Sequence, residues 1–146
     1  MPKSRAATRT FWATITIIII VIAIIGFYLY TGSMKPKPST LQITIPEGAK
    51  LQPSGWNGSI LISNLYYDPS VLRVVIGINN TVVWTNADST QHTIYTVSVP
   101  TGVTSFGNVS VQPGGSYSYT FTTPGIYKYF CNIHPWMGGE VIVQSG

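Results

Sequence analysis

Charge is scarce in this sequence: Asp, Glu, Lys and Arg make up 8% of its 146 residues, and only four residues are acidic. A chain that poor in charge and 45% apolar does not have the composition of a disordered segment. Coiled coils and helical bundles draw roughly half of their residues from Ala, Glu, Lys, Leu and Arg, and that signature is missing too. Cysteine occurs once, which excludes an internal disulfide and any site that needs two thiolates from this chain. The carboxylates Glu47, Asp68, Asp88 and Glu140 are dispersed, so neither a general acid–base pair nor a nucleophile–His–acid set can be argued, and the chain does not read as an enzyme. So few acids also leave few groups that gain protons on unfolding, which is compatible with an acidic habitat.

The basic isoelectric point, about 9.3, comes from the ends of one apolar run. Lys3, Arg5 and Arg9 precede it, and Lys35 and Lys37 follow it. From Pro38 onward Lys50, Arg73 and Lys128 face the four acids, a net of −1. A basic face for nucleic acid is therefore absent from the rest of the chain, and no nucleic-acid partner is expected. Phe11 to Tyr30 carries no charge, and a helix of that length spans about 30 Å, the thickness of a hydrocarbon core. Phe11-Trp12 and Phe27-Tyr28 with Tyr30 lie where interfacial aromatics belong. The sequence thus predicts a cytoplasmic tail over 1–10, a single transmembrane helix over 11–30 in contact with the bilayer, and a linker over 31–40 stiffened by Pro36 and Pro38. The basic residues place the N-terminus inside and the rest of the chain outside the cell membrane. A cleaved signal peptide is the other reading, although this run is longer than an h-region and Tyr30-Thr31-Gly32-Ser33 is a weak cleavage site. Either way the remainder is exported.

From residue 41 to 146 apolar and small polar residues alternate, most cleanly in Tyr117-Ser118-Tyr119-Thr120-Phe121. Strands are expected at Leu41–Ile45, Ile60–Asn64, Val71–Ile78, Val82–Thr85, Thr93–Val99, Val109–Gln112, Tyr117–Phe121, Ile126–Phe130 and Glu140–Val143, separated by Pro- and Gly-rich turns. The fold class is all-β, an antiparallel sandwich or barrel of eight or nine short strands. Sequons at Asn57, Asn79 and Asn108 are compatible with an exported surface.

The one Cys and both His are placed informatively. Cys131-Asn132-Ile133-His134-Pro135-Trp136-Met137 sets thiolate, imidazole and thioether at i, i+3 and i+6, in a loop after a strand. His92 stands upstream at the edge of another strand. Taken singly, each has a plainer reading: a buried thiol, a satisfied imidazole, a packing Met. Taken together they form a liganding pattern. Two His and a Cys with a weak axial Met is the donor set of a blue copper centre. Zinc sites rarely use Met, and dinuclear copper would need a second bridging Cys. On the strand before the site, Tyr127, Tyr129 and Cys131 share one face and Lys128 takes the other, so Cys131 is expected to point inward.

Three stretches carry a family resemblance: Val82-Val83-Trp84-Thr85-Asn86-Ala87-Asp88 ahead of His92-Thr93, Val111-Gln112-Pro113-Gly114-Gly115-Ser116-Tyr117, and Pro124-Gly125-Ile126-Tyr127-Lys128-Tyr129-Phe130-Cys131. With the short Cys-x2-His-Pro-x-Met loop, residues 41–144 resemble a cupredoxin of the plastocyanin/amicyanin kind, closer to amicyanin in loop length. The resemblance implies a Greek-key β-sandwich, one type 1 copper ion, His92, Cys131, His134 and Met137 as ligands, and an electron-carrying function. Many relatives have Asn after the first His, where Thr93 stands here, either as a substitute latch for the sulfur or as an ordinary strand residue. Phe130 occupies the place of the exposed Tyr of a second electron port in plastocyanins. With Phe there and no acidic run, that port is not implied. The expected port is the edge of His134, framed by Pro135, Trp136 and Gly138. The reading is therefore a membrane-anchored carrier of single electrons between membrane-bound redox complexes of a respiratory or other chain. A copper storage or delivery module, an accessory copper subunit of a membrane oxidase, and a metal-free sandwich are the alternatives.

Overall fold

The computed structural model of the protein describes residues 5–33 and 38–146. These fall into two units, a helix and a strand domain that begins at Pro38. Helix α1 runs Arg5–Ser33, longer at both ends than the expected span. Its stretch Trp12–Gly32 has a mean hydropathy of 2.6 and lies unburied, which by length and composition makes it a candidate membrane anchor. Two of its hydroxyls turn back on the helix: Thr16 Oγ1 donates to Trp12 O at 2.8 Å and Thr31 Oγ1 to Phe27 O at 3.0 Å. Such back-bonding is what a polar side chain needs where lipid offers no partner. Residues 1–4 of the expected tail and 34–37 of the expected linker lie outside the described residues.

Nine strands follow: β1 Thr40–Ile45, β2 Leu61–Ile62, β3 Val71–Val75, β4 Thr81–Asn86, β5 His92–Ser98, β6 Asn108–Val111, β7 Ser116–Thr120, β8 Gly125–Phe130 and β9 Met137–Gln144. Each falls on an expected stretch, and two are shortened by tight turns. β2 stops because Tyr66 N–H and Tyr67 N–H fold back onto Ser63 O. β3 stops because Ile78 N–H and Asn79 N–H both reach Val75 O. The expected β-sandwich is present, and only the expectation that it is antiparallel is corrected: both sheets are mixed. One sheet has the order β1-β4-β7, and the other β2-β9-β8-β5-β6 with β3 also on β9. β1 runs parallel to β4, and β2 and β3 run parallel to β9. These three pairs join strands far apart in sequence through long connections, which parallel pairing permits and hairpins do not.

The core between the sheets is largely aromatic. Trp84 from β4 is fully buried and meets Tyr129 of β8 edge-on, with ring centroids 5.6 Å apart. Phe106, Phe121 and Tyr127 complete the cluster. Each edge-to-face pair contributes roughly 0.5–1.5 kcal/mol beyond its buried area. Period-two alternation in β8 puts Tyr127, Tyr129 and then Cys131 inward, while Lys128 is outside and faces Glu140 at 3.7 Å. This burial fixes the direction of the thiol. The neighbouring strand makes room for the Tyr129 ring through Gly139, where an added Cβ would lie 2.3 Å from Tyr129 Oη. Tyr129 is enclosed and cannot swing aside, so Gly139→Ala is expected to destabilise the domain by about 1–3 kcal/mol, measurable as a lowered midpoint in urea unfolding.

Candidate metal centre

The two strand ends that carry the liganding residues meet at one end of the sandwich. His92 is the first residue of β5, and Cys131 follows directly on β8. The loop from Cys131 to Met137 is tied at its neck, with Cys131 N–H donating to Met137 O at 3.0 Å and Met137 N–H to His134 O at 3.0 Å. That closure brings His134 back over Cys131 and seats Met137, fully buried, at the start of β9. On the other side, the turn before His92 is built on Asn86. Its side-chain N–H groups donate to Thr90 O at 2.7 Å and Val111 O at 2.9 Å, and its Oδ1 accepts from Asp88 N–H.

The three donor atoms converge. Cys131 Sγ lies 3.8 Å from His92 Nδ1 and 3.7 Å from His134 Nδ1, and the two nitrogens are 3.1 Å apart. A triangle with those sides has a centre about 2.1 Å from every corner, within the roughly 2.0–2.3 Å at which nitrogen and sulfur hold a borderline transition-metal ion. His92 and Cys131 are enclosed and His134 is half-buried. The chemistry of the set fits copper. Soft thiolate and thioether suit Cu(I), imidazole suits both valences, and His₂Cys with Met is the blue copper pattern. His92, Cys131, His134 and Met137 are thus arranged as a type 1 site.

The sulfur has further partners. Thr93 N–H points at Sγ from 3.3 Å and the Thr93 hydroxyl lies 3.6 Å away. That hydroxyl also donates to Asn132 Oδ1 and accepts from Asn132 N–H, both at 2.9 Å. Thr93 therefore laces the His92 strand to the Cys131 loop. Burial raises the Cys131 thiol pKa, and the bonds from His92 and Thr93 outweigh it, leaving the group below its ordinary value. His134 is shifted down by its burial and by the neighbouring His92. Burial also disfavours a charged His92, but Cys131 and Asp88 reverse the direction and raise its pKa.

Of the other expected residues, Pro135 and Phe130 are half-buried beside the loop, and Phe130 meets Tyr95 edge-on at 5.5 Å. Trp136 is only 8% exposed: its Nε1–H donates to Ala49 O at 3.3 Å, and its ring sits between Trp56 at 5.7 Å and His134 at 5.4 Å. It backs the His134 ring from inside. Asp88, Lys50 and Asn132 were not singled out from the sequence. The one available signal was an acid four residues ahead of a His in a chain with only four acids.

The family model for the Cupredoxin-like domain matches residues 18–143. An amicyanin of Paracoccus denitrificans is 32% identical over 83 residues, which are 57% of this chain and 62% of that protein. The match thus spans less than two thirds of this relative. Amicyanin-alpha of Methylorubrum extorquens is 28% identical over 98 residues, 67% of this chain and 80% of that one. Among solved structures, a purple cupredoxin from Nitrosopumilus maritimus is similar at 31% identity and a TM-score of 0.57, over 71% of this chain and 99% of that one. Because Trp136 fills the space behind His134, Trp136→Ala is expected to cost about 3 kcal/mol, read by denaturant unfolding of the metal-free protein.

Proposed function

The chain belongs to the cupredoxin-like domain family, and on that premise we propose that it is a membrane-tethered blue copper protein that passes single electrons between redox partners outside the membrane. The observation that carries this reading is the buried triangle of Cys131 Sγ, His92 Nδ1 and His134 Nδ1. Cys131, His92 and His134 would be the strong ligands of a copper ion held there, with the Met137 thioether as a weaker fourth. Copper, when bound, supplies a one-electron couple between its two valences. The protein's part is to hold the donors still. Cys131 and Met137 are locked to each other through the loop neck, and His92 is locked to Cys131 through Thr93. A frame that cannot relax keeps the ligand geometry alike in both states, so little rearrangement accompanies transfer.

Three of the four side chains are enclosed, and only His134 has an edge near solvent. A partner would approach that edge, with Pro135 beside it and Trp136 stiffening it from behind. Four donors leave no open position for a substrate, which favours a carrier over an enzyme. Storage and delivery call for exposed, exchangeable donors, and this set is buried. The likeness to amicyanins agrees with a carrier. Helix α1 would tie the domain to the bilayer, with residues 1–10 inside, a span over 11–30, a linker over 31–40 and the copper domain outside near membrane-bound redox complexes.

The copper-loaded protein is expected to show an intense visible band that bleaches on reduction and is lost in Cys131→Ser. A colourless, electrochemically silent sample would refute the copper reading. The full chain is expected to stay in the membrane pellet through alkaline carbonate extraction, whereas a chain lacking residues 1–37 is recovered in the supernatant.

A further inference from the structure

The two imidazoles differ in what stands behind them. His134 turns its outer edge toward solvent, but His92 Nε2 faces Asp88 Oδ2 at 2.9 Å, with both side chains sealed from water. Of the four acids in the chain, Asp88 alone is buried. Both of its oxygens are occupied. Oδ1 accepts the backbone N–H of Ser89 at 2.7 Å and of Gly48 at 3.2 Å. Oδ2 accepts Lys50 N–H at 3.0 Å and the His92 ring N–H, with the Thr90 hydroxyl at 3.4 Å. The Lys50 ammonium stands 3.8 Å from Oδ1 at the surface. Every one of these partners turns a hydrogen toward the carboxylate, which is the environment of an ionised acid.

A carboxylate behind a metal-binding imidazole fixes the ring proton on the far nitrogen and leaves the near one as a lone pair. Here that lone pair is Nδ1, the atom aimed at Cys131 Sγ. The carboxylate also sets a permanent negative charge one ring away from the point where the donors converge. An ion at that point loses one positive charge on reduction, so a nearby anion favours the oxidised state. Lys50 opposes this from a half-buried position at the surface, where water and salt weaken it.

We propose that Asp88 is a positioning residue that holds His92 as an Nδ1 ligand and biases the site's one-electron couple toward the oxidised, divalent state. The inference rests on the copper reading of the same site. The stretch that grips Asp88 also braces the second imidazole: Gly48 and Lys50 donate to the carboxylate, and Ala49 O between them accepts Trp136 Nε1–H, whose ring backs His134. One three-residue segment thus connects the supports of both histidines.

The test compares the copper-loaded full chain with its Asp88→Asn variant. Potentials are measured by spectroelectrochemistry, and Cu(II) and Cu(I) dissociation constants by chelator competition. Cu(II) is expected to bind about tenfold more weakly in the variant while Cu(I) binding is unchanged, which raises the potential by about 59 mV. The visible and electron paramagnetic resonance spectra are expected to keep the parent ligand signature. An unmoved or lowered potential in a variant with that signature overturns the inference. The amide must turn its NH₂ toward amide or ring N–H donors; if that prevents folding, Lys50→Gln, which leaves every backbone donor in place, carries the test. Removing that cation is expected to tighten Cu(II) relative to Cu(I) about threefold and to lower the potential by about 28 mV; an unmoved or raised value overturns the inference. A parent chain that takes up copper without a visible band or a reversible couple would instead defeat the copper reading, before any variant is compared.

Discussion

Two imidazole nitrogens 3.1 Å apart, with a thiol sulfur within 3.8 Å of each, are costly to assemble in a protein interior. To serve as ligands all three must aim lone pairs at one point, where they repel one another with little water between them. The rest of the domain is organised around sustaining that convergence. β8 drives Cys131 inward on the same face as two fully buried tyrosines. The neck of the Cys131–Met137 loop returns His134 over it, and the Asn86 turn delivers His92 from the opposite side. None of the ligands depends on a free-standing loop. Each is the first or last residue of a strand, or is pinned within three residues of one.

Second in importance is the lacing between the two ligand-bearing segments. Thr93 and Asn132 exchange two hydrogen bonds across 39 residues of sequence, and Thr93 N–H adds a third contact on the sulfur. Hydrogen bonds of this kind contribute about 1 kcal/mol each to stability, small against the aromatic core. Their effect is on geometry: they prevent β5 and the loop after β8 from moving independently. These partners favour the latch over the plain strand residue for Thr93.

Much of this was legible in the sequence, for a specific reason. Period-two alternation is a local property, so all nine strands could be placed, with end errors where Ser63 and Val75 carbonyls capture amides from the next turn. The Cys131, His134 and Met137 spacing is local as well. His92 stood out because the chain has only two His. What the pattern could not carry is pairing at a distance. The parallel contacts of β1 with β4, and of β2 and β3 with β9, leave no periodic trace. The same holds for Asp88, whose partners at Gly48 and Lys50 are backbone amides about 40 residues upstream. A backbone amide has no residue type, so no motif can announce it.

The stretch from Pro46 to Leu51 shows how far this argument reaches. By composition it is only a turn. In the fold its amides hold the one buried acid, its Ala49 carbonyl holds Trp136, and its Lys50 side chain places a cation by that acid. A rigid site of this kind needs its supports joined as well as its ligands, because two ligand loops braced separately could still shift against each other. A short turn wedged between them, contributing mainly backbone groups, supplies that connection without adding a flexible side chain. The constraint also explains why a chain so short of charge keeps a carboxylate in its interior. There a single fixed anion, with an imidazole on one oxygen and amides on both, sets the ring orientation and the local field together.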